Sequence, residues 1–126
     1  LLRRIIPNSF IKGSLFQFLN TFSFKNYVTK YEQYLKKIFK SYSNYIPCIL
    51  TNWDNTSRYQ NRGFVLTNPD PKYFKLLLDS ALHIFKDKQL PFIIIKAWNE
   101  WAEGNFLEPD KEYNLQRLEA VKNSKL

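Results

Sequence analysis

The sequence predicts an α/β fold in which a parallel sheet is covered by helices, and three observations carry that prediction. Two short apolar runs, residues 45–51 and 92–97, read as strands. Segments with apolar residues every three or four positions lie before, between and after them, giving the order helix, strand, helix, strand, helix. Both runs break at once into polar and charged residues, Asn52-Trp53-Asp54 after the first and Trp98-Asn99-Glu100 after the second. In parallel α/β sheets the C-terminal ends of the strands are where loops converge and ligands are held.

Taken in order, residues 7–24 alternate aromatics with small polar residues and include Gly13, the composition of an irregular segment. Residues 1–24 are therefore read as an irregular N-terminal segment ahead of a domain over residues 25–126. Over residues 26–42, Val28, Tyr31, Leu35, Ile38, Phe39 and Tyr42 mark one face of a helix, which Ser43 and Asn44 end. Residues 45–51 form a short buried strand through Ile46, Cys48, Ile49 and Leu50. A loop rich in Asn, Arg and Thr follows over residues 55–68, with Gly63 allowing a turn.

Asp70-Pro71 supplies a cap and a first-turn proline, so a helix should run from Pro71 to about Lys86. Its buried face would be Phe74, Leu77, Leu78, Ala81, Leu82 and Phe85. The run Phe92-Ile93-Ile94-Ile95 reads as a strand buried on both faces. Asp110 is expected to cap a last helix that turns Leu115, Leu118 and Val121 toward the core.

Composition bounds the function classes. At 126 residues and 44% hydrophobic content the chain suits one domain with a modest core. It contains no methionine, so a chain beginning at Leu1 is expected to be a cleaved or truncated product. No window of about 18 apolar residues exists to cross a membrane as a helix. The basic pair in Leu1-Leu2-Arg3-Arg4-Ile5-Ile6 is followed too soon by Pro7, Asn8 and Ser9 for a signal-peptide core.

The net charge is +8, yet residues 1–40 hold eight Lys or Arg against one Glu, while the rest is nearly balanced. The excess lies away from the polar strand ends, and Lys30, Lys36, Lys37 and Lys40 suit a solvated helix face better than a nucleic-acid track. Attachment to an anionic membrane surface is the electrostatic alternative. Cys48 is the single cysteine and reads as a small hydrophobe. His83, the single histidine, falls on a helix face, which leaves neither a metal site nor a Ser-His-Asp arrangement to build. Neither an Asp-x-Asp pair nor a glycine-rich phosphate loop is present, so no cofactor or metal is expected.

The candidate chemistry rests on Glu100 and Glu103. Cleaving or forming a glycosidic bond takes two carboxyl groups, one to protonate the leaving oxygen and one to act as base or nucleophile. Residues three apart share one cavity if the loop curls helically. Trp98 and Trp101 would form a low-dielectric wall that favours the protonated form of one carboxyl group. Asn99 is placed to donate to a sugar hydroxyl. Structural readings stand beside these: ion pairs from Glu100 and Glu103 to Lys96 or Arg58, an Asp54 to Arg58 pair, core roles for Trp53, Trp98 and Trp101, and a capping role for Glu108.

Trp98-Asn99-Glu100-Trp101-Ala102-Glu103-Gly104, followed by Leu107-Glu108-Pro109-Asp110, resembles the C-terminal signature of the WbsX-type glycosyltransferases, which group with glycoside hydrolase family 99-like domains. The upstream block Trp53-Asp54-Asn55-Thr56-Ser57-Arg58 matches in order and spacing, and the resemblance covers most of residues 22–123. It implies a (β/α)8 TIM-type barrel, which typically needs about 250 residues. This chain would supply the closing strands and helices, and the N-terminal barrel strands of a longer parent would be its partner.

The resemblance further implies a cytoplasmic bacterial protein, at most peripheral to the inner membrane. It would act on an oligosaccharide or polysaccharide of the O-antigen, lipopolysaccharide type. Glu100 would be the base acting on the sugar 2-hydroxyl and Glu103 the general acid, through a 1,2-anhydro sugar whose opening by water or by a sugar separates hydrolysis from transfer. Trp98, Asn99, Trp101, Trp53, Asp54, Arg58 and Glu108 would bind substrate. A non-catalytic carbohydrate-binding or assembly domain, or an inactive fragment, is the alternative. Relatives usually carry Tyr-Gly where this chain has Tyr113-Asn114; asparagine tolerates a left-handed backbone, so the turn is expected to survive.

Overall fold

The computed structural model describes residues 20–124. The readings made for residues 1–19, including most of the irregular segment, lie outside the described residues. A strand, β1 (Thr21–Ser23), forms at the end of the stretch expected to be irregular and leads directly into α1 (Phe24–Ile38). Then come β2 (Cys48–Leu50), a single helical turn α2 (Thr56–Tyr59) with a 3-10 turn (Gln60–Arg62), β3 (Val65–Thr67) and α3 (Pro71–Lys88). The chain continues through β4 (Ile94–Lys96), β5 (Asn99–Glu100), a 3-10 turn (Trp101–Glu103), β6 (Asn105–Phe106) and α4 (Gln116–Lys122). The predicted alternation is present as α1, β2, α3, β4 and α4.

The architecture is mixed α/β. β2 and β4 pair in parallel, with Ile49 opposite Ile95, and α3 is the crossover between them. The ladder extends at both ends, from the Ile94 amide to the Pro47 carbonyl at 2.9 Å and from the Thr51 amide to the Lys96 carbonyl at 3.2 Å. β1 and β3 form a second parallel pair, and β5 and β6 a short antiparallel one. The Leu66 amide donates to the Trp53 carbonyl at 2.8 Å, so the exit of β2 also touches β3.

α3 is the centre of the core. Asp70 accepts from the Lys72 amide at 2.9 Å, Pro71 occupies the first turn, and Gln89 ends the helix in the left-handed conformation at φ 50°. Phe74, Leu77 and Ala81 are fully buried, against Phe24 of α1 and Ile49 of β2. Tyr31 ties α1 to β2 through a 2.6 Å hydrogen bond from its hydroxyl to the Cys48 carbonyl. Burial pushes both hydroxyls of this seam up, that of the neighbouring Tyr27 to about 12.

Several expectations are corrected. β4 is buried on one face, not two: Ile93 and Ile95 pack on the core while Phe92 and Ile94 are exposed. The stretch over residues 55–68 contains α2 and β3 as well as loop. Helix α1 passes into turns after Ile38, and Tyr42 is exposed. Cys48 is only half-buried. His83 is on an exposed helix face, as expected.

The last helix starts six residues later than Asp110. That carboxylate instead caps a preceding turn, accepting from the Glu112 amide at 2.8 Å and the Tyr113 amide at 2.6 Å. Asn114 then adopts the left-handed conformation, φ 51°, which breaks the helical path and turns Leu115 outward. Asp110 also accepts from the guanidinium of Arg117, which is 3% exposed.

Burial pushes the Asp110 carboxyl up, but the Tyr113 and Glu112 amides and Arg117 outweigh it and hold the group below its ordinary 3.8. A depressed folded value means that Asp110 stabilises the fold above about pH 3.8 and that this is lost as pH falls through the lower folded value. Urea titrations should show Asp110→Ala losing about 3–5 kcal/mol at neutral pH, because a buried guanidinium is left unpaired. Asp110→Asn should flatten the acid limb of the stability profile.

Candidate active site

The site is built where two strand exits are clamped together. Thr51, at the end of β2, and Asn105, in β6, are both fully buried, and the Thr51 amide and hydroxyl donate to Asn105 Oδ1 at 3.3 and 2.9 Å. The Asp54 amide donates to the Glu103 carbonyl at 2.7 Å. Asp54 Oδ1 accepts from the amide and hydroxyl of Thr56, at 2.9 and 2.6 Å, an Asx turn just ahead of α2. Ser57 of that turn donates to the Ala102 carbonyl. The 3-10 turn carrying Glu103 is thus held by backbone bonds to the block that carries Arg58.

Gly104 makes this close approach possible. Its φ is 59°, and a Cβ there would lie 3.1 Å from both the amide nitrogen and the Cβ of Asp54. The Lys96–Ala97 peptide just before the site is cis.

Glu100 and Glu103 project from this clamp to the same guanidinium. Arg58 Nη2 donates to Glu100 Oε1 at 3.0 Å and Arg58 Nη1 to Glu103 Oε1 at 3.3 Å. Lys96 Nζ donates to Glu103 Oε2 at 3.0 Å and sits 4.2 Å above the Trp53 ring. Both oxygens of Glu103 therefore accept from cations, and its side chain is 14% exposed. Glu100 keeps Oε2 without a hydrogen-bond partner among the described residues.

The helical curl expected between the two glutamates is present as the 3-10 turn, and the ion pairs to Arg58 and Lys96 are formed. Asp54 does not pair with Arg58; it is used by Thr56 instead. The expected tryptophan wall is not assembled around the carboxylates. Trp98 and Trp101 are 54% and 50% exposed, and the Trp101 indole stacks on Phe106 and donates from Nε1 to Glu108 Oε2 at 2.7 Å. Trp53 is the indole that meets the cluster, through Lys96. Glu108 serves Trp101 rather than a helix start. Asn99 is exposed and pairs in β5 opposite Phe106.

Sequence reasoning missed Asn105 and Gly104 as determinants of the site. The cue to Gly104 is a single glycine directly after a helical turn, the usual place for a left-handed residue. Asn105 gives no local cue, because its partner Thr51 is 54 residues away.

Residues 5–121 match the protein family described as Glycosyltransferase WbsX. Two proteins, each described as uncharacterized protein WxcX, from two strains of Xanthomonas campestris pv. campestris, are 30% identical to the chain over 81 residues. Those 81 residues cover 62% of this chain and 12% of the relatives, so the chain spans about 12% of the length of the curated proteins it matches. No solved structure matches it.

Replacing Gly104 by alanine should strain the backbone at the point of closest approach to Asp54. Thermal unfolding of Gly104→Ala is expected to show a loss of about 1–3 kcal/mol. Arg58→Ala, which removes only half-exposed ion pairs, should cost at most about 1 kcal/mol.

Proposed function

This chain belongs to the WbsX glycosyltransferase family, and on that premise we propose that it carries the two-carboxylate centre of an enzyme making or breaking glycosidic bonds in bacterial surface polysaccharide of the O-antigen type. The observation that supports this reading is the convergence of Glu100 and Glu103 on one guanidinium, at 3.0 and 3.3 Å, directly beyond the C-terminal end of β4. In this reading residues 25–126 are the closing βα units of a (β/α)8 barrel. The uncovered face of β4, with Ile94 and Lys96, belongs toward the barrel interior. No helix among the described residues is long and apolar enough to cross a membrane, and we place the protein in the cytoplasm with its basic surface available to the inner membrane.

Glu100, with one oxygen unengaged, suits the base that takes the proton of the sugar 2-hydroxyl. The sugar's own 2-oxygen then attacks the anomeric carbon and closes a 1,2-anhydro ring as the glycosidic bond breaks. Glu103 gives its proton to the departing glycosidic oxygen as that bond breaks; in the second half water or a sugar hydroxyl attacks the anomeric carbon, its proton passing to Glu103 while Glu100 returns its proton to the 2-oxygen as the ring opens. Both oxygens of Glu103 accept from Arg58 and Lys96, so incoming substrate has to draw these cations onto its own oxygens before Glu103 can carry a proton. Arg58, Lys96 and Asn99 supply donors to the sugar, and Trp53 backs Lys96.

The full pairing of Glu103 also favours a second reading, a carbohydrate-binding domain in which the ion pairs are structural. Glu100→Gln and Glu103→Gln in the parent protein separate the two. Catalysis predicts a fall in turnover of roughly a hundred- to ten-thousand-fold with sugar binding retained. Unchanged turnover in both variants would sink the catalytic reading.

A further inference from the structure

We propose that the open indole face of Trp101 is a platform for one pyranose ring of a glycan, in an accessory subsite separate from the carboxylate pair; this rests on the carbohydrate reading above. Trp101 is unusual in being both immobilised and exposed. One face stacks on Phe106 with ring centroids 3.7 Å apart and planes 19° apart. Its edge is fixed by the 2.7 Å hydrogen bond to Glu108. Phe106 is itself backed by the Arg117 guanidinium at 5.1 Å, and Arg117 lies 5.0 Å from the Tyr113 ring. A column of Tyr113, Arg117 and Phe106 therefore supports the indole from the buried side, with Arg117 anchored on Asp110.

Such support normally accompanies burial, yet half of Trp101 faces solvent. Its exposed side borders an open cavity of about 680 Å³ formed with Pro109, Asp110, Lys111, Asn114 and Leu115. None of these is Glu100 or Glu103, although Trp101 lies between them in sequence. A flat indole whose rotamer is already fixed gives up little conformational entropy when it is covered. The C–H face of a pyranose matches it in shape and polarity.

The rim supplies the polar half of recognition. Asp110 is fully engaged by the Glu112 and Tyr113 amides and by Arg117, so it offers nothing to a ligand. The Lys111 ammonium and the Asn114 side-chain amide make no hydrogen bond among the described residues and are free to donate to ring hydroxyls. The left-handed backbone at Asn114 brings that amide to the cavity mouth. Leu115 adds an exposed apolar side chain to the same cavity.

Saturation-transfer NMR on the parent protein tests this, with methyl glycosides of common hexoses and 6-deoxyhexoses as probes and uridine monophosphate as a control. Transfer should be strongest to the C–H protons of one ring face. Trp101→Ala should weaken glycoside binding about tenfold, while Trp101→Phe should stay within about threefold of wild type. Leu115→Glu, which leaves the Trp101 and Phe106 stack intact, should also weaken it and decides the matter if Trp101→Ala loses its fold. Wild-type binding in both Trp101→Ala and Leu115→Glu overturns the platform and leaves the carbohydrate reading standing. A wild-type parent protein that binds no glycoside overturns both, and one that binds only uridine monophosphate makes this a nucleotide site instead.

Discussion

The arrangement depends on one clamp, the set of backbone and buried polar bonds that joins the exit of β2 to the turn after β4. Asp54 and Glu103 are joined main chain to main chain, Thr51 and Asn105 through a buried hydroxyl and amide, and Gly104 lets the two strands of backbone come within contact distance. These bonds are dry or half-dry, so they keep their value in salt and direct the side chains above them. The ion pairs at the surface of the site do not have that strength. Arg58 is half exposed, and pairs of this type contribute little and are screened. Position is therefore set by the clamp, and the charges follow.

That ordering bears on how the carboxylates can act. A site held together by its ion pairs would collapse when substrate displaced them. Here Arg58 and Lys96 can exchange Glu103 for a sugar oxygen while the 3-10 turn keeps its place on Asp54 and Ser57. Two glutamates, two cations and an indole within one small surface form a neutral cluster, which suits an uncharged, hydroxyl-rich substrate better than a phosphate track.

The segment after the site is stabilised in a different way. Asp110 and Arg117 are a buried pair whose loss leaves a charge without a partner, and they fasten the aromatic column that ends at Trp101. The turn that Asn114 makes displaces the start of α4 and so spares the surface beside Trp101 from being covered by a helix.

Much of this was legible in the residues. The 3.6-residue periodicity of α1 and α3, the Asp70-Pro71 start, the apolar runs of β2 and β4 and the left-handed tolerance of Asn114 are local properties, decided by side chains within a few positions of one another. The two motif blocks, and with them the family, are likewise a matter of sequence alone. What only the tertiary structure decided are the pairings across the chain: Arg58 with glutamates more than forty residues away, Thr51 with Asn105, and Trp101 with Phe106 rather than with the acids. A three-residue strand such as β3 has too few positions to show a period, and the one-sided burial of β4 reflects which elements cover it rather than its own composition. Periodicity reports the face a segment offers; the partner that meets that face is fixed only when the chain closes on itself.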